Sequence, residues 1–191
     1  MLKQLNRWLL ILGGLTVLPA CSNNEVTWQE EVKLNDGRVI TVTQKRRCEG
    51  AYNGDSYSKC IAREAWVTFK LPEFGKAEIT WNARLWPRVV NVHQGQLNIV
   101  GVPHTKREFD FYGRPQPHYL GYKLERGQWQ RIAFAEIPEA IYDTNLLIDP
   151  PPSSMKLVTL VAKASLEMNG NPSYPSYIKR IDPTYKRYQS R

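Results

Sequence analysis

From Glu25 onward the chain alternates. Val26, Trp28, Val32 and Leu34 share one face with Glu30, and Thr27, Gln29, Glu31 and Lys33 share the other. A period of two over this length predicts a half-buried strand. Asn35-Asp36-Gly37 is a hairpin turn signal, and Arg38 to Arg46 returns with Ile40 and Val42 inward. Ala65, Val67, Phe69 and Leu71 then alternate with Trp66, Thr68 and Lys70. After a turn at Pro72 to Gly75, Ile79, Trp81, Ala83 and Leu85 face away from Glu78, Thr80, Asn82 and Arg84. Pro87 is expected to stop that strand.

Val89 to Val92 and Leu97 to Val102 predict a hairpin around Gln94-Gly95-Gln96. Phe109 and Phe111 mark a short strand, and Gly113-Arg114-Pro115-Gln116-Pro117 a loop. Leu120, Tyr122 and Leu124 pair with Trp129, Ile132 and Phe134 across Arg126-Gly127. Glu136 to Tyr142 suits one helical turn, and Asp149 to Ser154 is a stiff proline connector. Lys156 to Lys163 reads as one more strand, closed by Asn169-Gly170. About ten strands at this spacing, without a long helix, predict an all-β antiparallel sandwich or curved meander in one domain, residues 25–191.

The first twenty residues are different. Lys3 and Arg7 precede an uncharged, mostly apolar run from Trp8 to Ala20. As a helix it is roughly 20 Å long, against a hydrocarbon core of about 30 Å, and so has the shape of a secretory signal. It ends Leu18-Pro19-Ala20-Cys21, which resembles the lipobox of bacterial lipoprotein precursors. That resemblance implies diacylglycerol on the Cys21 thiol, cleavage before Cys21 and acylation of the new amino group with a fatty acid such as palmitate. Ser22 stands where an aspartate favours inner-membrane retention, so the resemblance implies the outer membrane, periplasmic face. Residues 21–24 become a lipidated tether. Two or more acyl chains hold a protein durably.

Cleavage would take the 26 Lys+Arg to 24, against 18 Asp+Glu. The remaining excess of six is mild, and export removes nucleic acid as a partner. With Cys21 consumed by lipid, Cys48 and Cys60 are an even pair in an oxidising compartment and are expected to form a disulfide. The polar, turn-rich loop between them contributes about 3 kcal/mol when closed.

Catalytic chemistry finds no support. His93, His104 and His118 have no metal-ligand spacing and are expected at the surface or in turns. Glu108 and Asp110 are expected on one solvated strand face. No nucleophile elbow, phosphate loop or dinucleotide fingerprint is present, so no metal, no cofactor and no enzymatic activity are expected. The aromatic content is high, with ten Tyr and six Trp in the precursor. Tyr112, Arg114, His118 and Tyr119 frame the rigid Pro115-Gln116-Pro117 segment and are the candidate binding surface, being residue types that dominate interfaces.

The sequence thus predicts a lipid-anchored module that binds a macromolecule in envelope assembly or maintenance. An inhibitor or immunity protein that blocks a secreted toxin is the alternative within that class, and a cell-wall or lipid hydrolase is the rival from another. Residues 171–191 hold Tyr174, Tyr177, Ile178, Ile181, Tyr185 and Tyr188, interrupted by Pro175 and Pro183. They are expected to form an extended strap over the sheet and then a short helix from about Pro183 to Gln189, capped by Asp182.

Overall fold

A computed structural model of the chain describes residues 24–49, 61–169 and 179–186. The leader, Cys21, the Cys60 end of the expected disulfide and most of the strap lie outside these residues. The fold is all-β and sandwich-like. One sheet has the order β4-β3-β2-β1-β9, from β1 (Glu25–Lys33), β2 (Val39–Glu49), β3 (Ile61–Phe69), β4 (Ile79–Ala83) and β9 (Leu157–Val158). The other has the order β5-β6-β7-β8, from β5 (Trp86–His93), β6 (Gln96–Val102), β7 (Leu120–Glu125) and β8 (Gln128–Ile132). Consecutive strands pair antiparallel within each sheet, β6 and β7 across a connection that carries a helix. The exception is β9, which pairs parallel with β1, Gln29 opposite Leu157.

The main core lies between the sheets. Val32, Val42, Val67 and Trp81 of the first meet Val90, Leu97, Ile99 and Leu120 of the second. The second sheet is also buried on its far face. There Val89, Val100, Tyr119 and Ile132 pack under Ile137, Ile141 and Tyr142, with Ile181 of the C-terminal segment. Burial on both faces explains the near-continuous apolar run of β5 and β6. Gly121 makes this closeness possible, since a Cβ there would lie 2.6 Å from Ile137 Cγ1 and 2.8 Å from Ile132 Cγ1.

Four expectations are corrected. Pro87 does not end a strand; it lies inside β5, at a bulge against β6 between Pro87 and Val89. Phe109 and Phe111 are on a helix, α1 (Lys106–Phe111). The stretch from Lys156 gives only the two residues of β9 before α2 (Leu160–Asn169). Thr159 starts α2, its Oγ1 accepting the Ala162 amide at 3.2 Å, and Ala162 and Leu166 pack inward on Trp28, Leu147 and Val158. Pro183 and Thr184 form a turn, not the start of a helix. Asp182 Oδ1 accepts the Thr184 amide at 2.8 Å.

The described part of the tail is held as a strap. Ile181 is 2% exposed; its amide donates to Tyr142 O at 2.8 Å, and the Asp182 amide donates to the Tyr119 hydroxyl at 3.2 Å.

A carboxylate is buried where β1 and β2 meet α2 and the backbone at Leu147. Glu30, inward on β1, is fully buried. It accepts from the Leu147 amide at 3.0 Å, from Trp28 Nε1 at 3.3 Å, from Gln44 Nε2 and from the Lys163 ammonium of α2. Arg46, also buried, donates to Leu147 O at 3.1 Å and lies 4.9 Å from the Trp28 ring. Burial pulls its pKa down, while the Asp149 and Glu30 carboxylates oppose that.

Glu30→Ala leaves the buried Lys163 ammonium without its carboxylate and Arg46 with Asp149 alone. It should cost about 3–5 kcal/mol, read by denaturant unfolding, and a second change, Lys163→Met, should recover part of the loss. Truncation after Gly170 removes Ile181 and the Tyr119 bond. It should lower stability by about 3 kcal/mol and the melting temperature by on the order of 10 °C; an unchanged melt would show that the strap bears no load.

Candidate functional site

The site is built by α1. Thr105-Lys106-Arg107-Glu108 has the spacing of a capping box, and the Thr105 hydroxyl donates to the Glu108 carboxylate. The helix ends in a Schellman arrangement: Gly113 at φ +77°, its amide to Asp110 O at 3.0 Å and the Arg114 amide to Phe109 O at 2.9 Å. Two residues on a helix are about 200° apart, whereas on a strand they share a face. Phe109 is therefore buried, and Phe111 projects with 60% of its surface exposed.

The helix is fastened to the first sheet by charge. Glu108 is 2% exposed and takes Arg63 Nη1 of β3 at 3.0 Å. Burial pushes its carboxyl up, but the Thr105 hydroxyl and the Arg63 guanidinium outweigh this and hold it below the ordinary value. The expected carboxylate pair is thus divided: Asp110 faces solvent, joined to Lys106 at 2.9 Å and to Arg114 at 2.7 Å.

Around Phe111 stand two arginines. Arg84, just beyond β4, lies over the Phe111 ring at 4.6 Å, and Arg131 of β8 lies 5.9 Å from the Tyr112 ring. The Tyr112 hydroxyl accepts the Arg84 amide at 3.1 Å, which fixes the corner. Burial pushes the Tyr112 phenol up, and that of its neighbour Tyr122 further. Both are protonated at neutral pH and neither is poised as a base. Below Arg131 a groove of about 380 Å³ runs between Pro115-Gln116-Pro117 and Ile132-Ala133-Phe134, floored by Tyr119 and Leu120.

The four sequence-derived candidates divide between two roles. Tyr112 belongs to the exposed face. Arg114 is exposed nearby, and its guanidinium serves Asp110 one helical turn back. His118 and Tyr119 are 1% and 3% exposed, so the expectation of a surface His118 is corrected. Its Nε2 lies 3.0 Å from Pro103 O and its ring against Phe109 and Tyr185. His104 stacks on Trp86 at 3.5 Å, and His93 borders a smaller polar cleft with Gln96 and Lys123. No cluster of three or more His, Cys, Asp or Glu side chains that could hold a metal occurs among the described residues. Cys48 is buried; its expected disulfide partner Cys60 is not among the described residues. Arg84, Phe111 and Arg131 were not singled out from the sequence.

A carboxyl held below its ordinary pKa contributes stability above that ordinary value, about 4.3, and loses it as the pH falls through the folded value. The wild-type chain should therefore melt above Glu108→Gln at neutral pH, and the gap should narrow below about pH 4. A gap independent of pH would mean that the ion pair with Arg63 does not hold α1. No family model matches the chain, and no curated protein or solved structure matches it, so the reading of its function rests on this geometry.

Proposed function

We propose that the chain is a lipid-anchored protein of the outer membrane, facing the periplasm, that binds a protein partner through the Arg84–Phe111–Tyr112–Arg131 face and catalyses no reaction. In this reading Cys21 carries the lipid and Cys48 pairs with Cys60. No helix among the described residues is long and apolar enough to cross a membrane, and the anchor rests on the lipobox alone.

The observation that carries the binding role is Phe111, a ring left 60% exposed on a helix whose other side is fastened by a buried ion pair. Covering a phenylalanine contributes about 1.5–3 kcal/mol. Aromatic and arginine side chains at the centre of a patch are the usual anchors of an interface. Arg84 and Arg131 add two positive charges beside it, which suits an acidic partner surface.

Envelope assembly is the first assignment, and the identity of the partner tests it. A photo-crosslinker at position 111 in living cells should capture a discrete envelope protein. Arg84→Glu should reduce that capture at least tenfold without changing the melting temperature. Cys21→Ala should abolish fatty-acid labelling. A secreted toxin as the sole adduct would move the assignment to an inhibitor. Absence of any adduct, with turnover of cell-wall or lipid substrate, would replace binding by hydrolysis.

A further inference from the structure

We propose that the β1–β9 edge of the domain rests on the lipid surface, with Met155, Leu157 and Val161 entering the headgroup region. This builds on the lipoprotein reading of Cys21. Among the described residues, five large hydrophobic side chains are exposed, and three of them fall within seven consecutive positions: Met155, Leu157 and Val161, at 37%, 42% and 79%.

Their exposure is imposed by the fold. Leu157 and Val158 are successive residues of β9, so Val158, which is buried, fixes Leu157 on the opposite face. Helix α2 is locked from within: Ala162 and Leu166 pack inward, Lys163 reaches the Asn145 carbonyl at 2.7 Å, and the Leu160 amide donates to Glu31 Oε2 at 2.9 Å. Val161 is left facing out, and Ala164, three residues on along the same side, is exposed with it.

No acidic residue occurs from 155 to 166, and of the two lysines there Lys163 is buried on Glu30. Lys156 is thus the one exposed charge of the segment, and it is positive. A lysine lays its apolar stem along such a patch and carries its ammonium out to the lipid phosphates. An apolar face with this charge at its margin suits a membrane interface over anionic lipid.

The tether selects the occupant. From Cys21 to Asn24 the chain spans at most about 11 Å. From Asn24, whose carbonyl accepts the Cys48 amide at 2.7 Å, five strand residues cover about 17 Å to Gln29, opposite Leu157. Gln29, one strand spacing of about 4.8 Å from Leu157, thus lies within about 28 Å of the lipidated residue. A three-residue tether gives the domain no room to stand off the bilayer, and β9, parallel to β1, runs alongside the strand that the tether leads into.

The test labels Leu157→Cys, Val161→Cys and, as control, Val39→Cys with a nitroxide, on phosphatidylethanolamine–phosphatidylglycerol vesicles. One preparation is the processed protein with its own lipid, checked at Cys21 by mass spectrometry. The other is Cys21→Ser, held by an amino-terminal histidine tag on nickel-chelating lipid. Labels at 157 and 161 should lose accessibility to a water-soluble relaxant several-fold and gain it to oxygen, while the label at 39 should not change. Labels at 157 and 161 as accessible as that at 39 in both preparations would overturn the docking edge and leave the anchor standing. An unmodified Cys21 would overturn the anchor, and the chelate-held preparation would still decide the edge. Protection that appears without vesicles as protein concentration rises would show that a second copy covers the patch, overturning the lipid assignment.

Discussion

The fold depends on one buried carboxylate. Strand β1 delivers Glu30 to a site closed to bulk solvent, where only a full set of donors makes a carboxylate tolerable. The donors come from four parts of the chain: Trp28 on the same strand, Gln44 on β2, the Leu147 amide in the segment 145–148 and Lys163 on α2. None of these contacts is local beyond Trp28, so the site forms only when that segment and α2 are docked. The same segment is bound to the second sheet beside it. Asn145 takes the Val90 amide on its side-chain oxygen at 3.0 Å and gives its own amide hydrogen to Val90 O at 2.8 Å. Its side chain stands in for a strand residue along the open edge of β5. Together with the Asn145 and Leu146 amides on Arg88 O, it satisfies the middle of that edge without another strand.

The opposite side of the sandwich is closed more simply. Trp129 of β8 donates its indole hydrogen to Thr80 O of β4 at 2.9 Å, joining the free edges of the two sheets. Such edges are otherwise open templates for pairing with another chain. The candidate site lies along this seam: Arg84 follows β4, Arg131 sits on β8, and α1 carries Phe111 over them. Its geometry therefore comes from ladders and an indole clamp, and the exposed ring is presented by a rigid corner.

Period two made the hairpins legible, and so the class of fold, because a strand with one buried face writes that face into every second residue. The inward position of Glu30 was legible too, but its partners were not, since alternation says which side a residue faces and nothing of what meets it from 117 residues away, as Leu147 does. Phe109 and Phe111 show the cost of trusting spacing alone: two rings two apart fit a strand, while Thr105, Glu108 and Gly113 spell a capped helix around them. That choice hid the site. In a strand the two rings share a face, and only in the helix does Phe111 become the exposed one. His118 and Tyr119 misled in the opposite sense, because loop-flanking aromatics suit a binding rim, yet here they hold Pro103 and the strap. Leu157 to Val161 is rich in β-branched and apolar residues and so predicts a longer strand than the two residues of β9, whereas the helical spacing of Ala162 and Leu166 begins only after Thr159.

Strand order gives the two proposed surfaces a consistent relation. In the first sheet β9 is one edge and β4 the other, with β1, β2 and β3 between. Four inter-strand steps of about 4.8 Å separate them by about 19 Å. If the β9 edge lies on the bilayer, Arg84 and the Phe111 face stand on the side of the domain turned toward the periplasm. The short tether and the binding corner then answer one requirement. A domain held flat by lipid and by its apolar edge presents a single face outward, and orientation of this kind lowers the entropy lost when a partner docks. A longer linker would let the domain tumble and would leave that loss to be met by the interface itself.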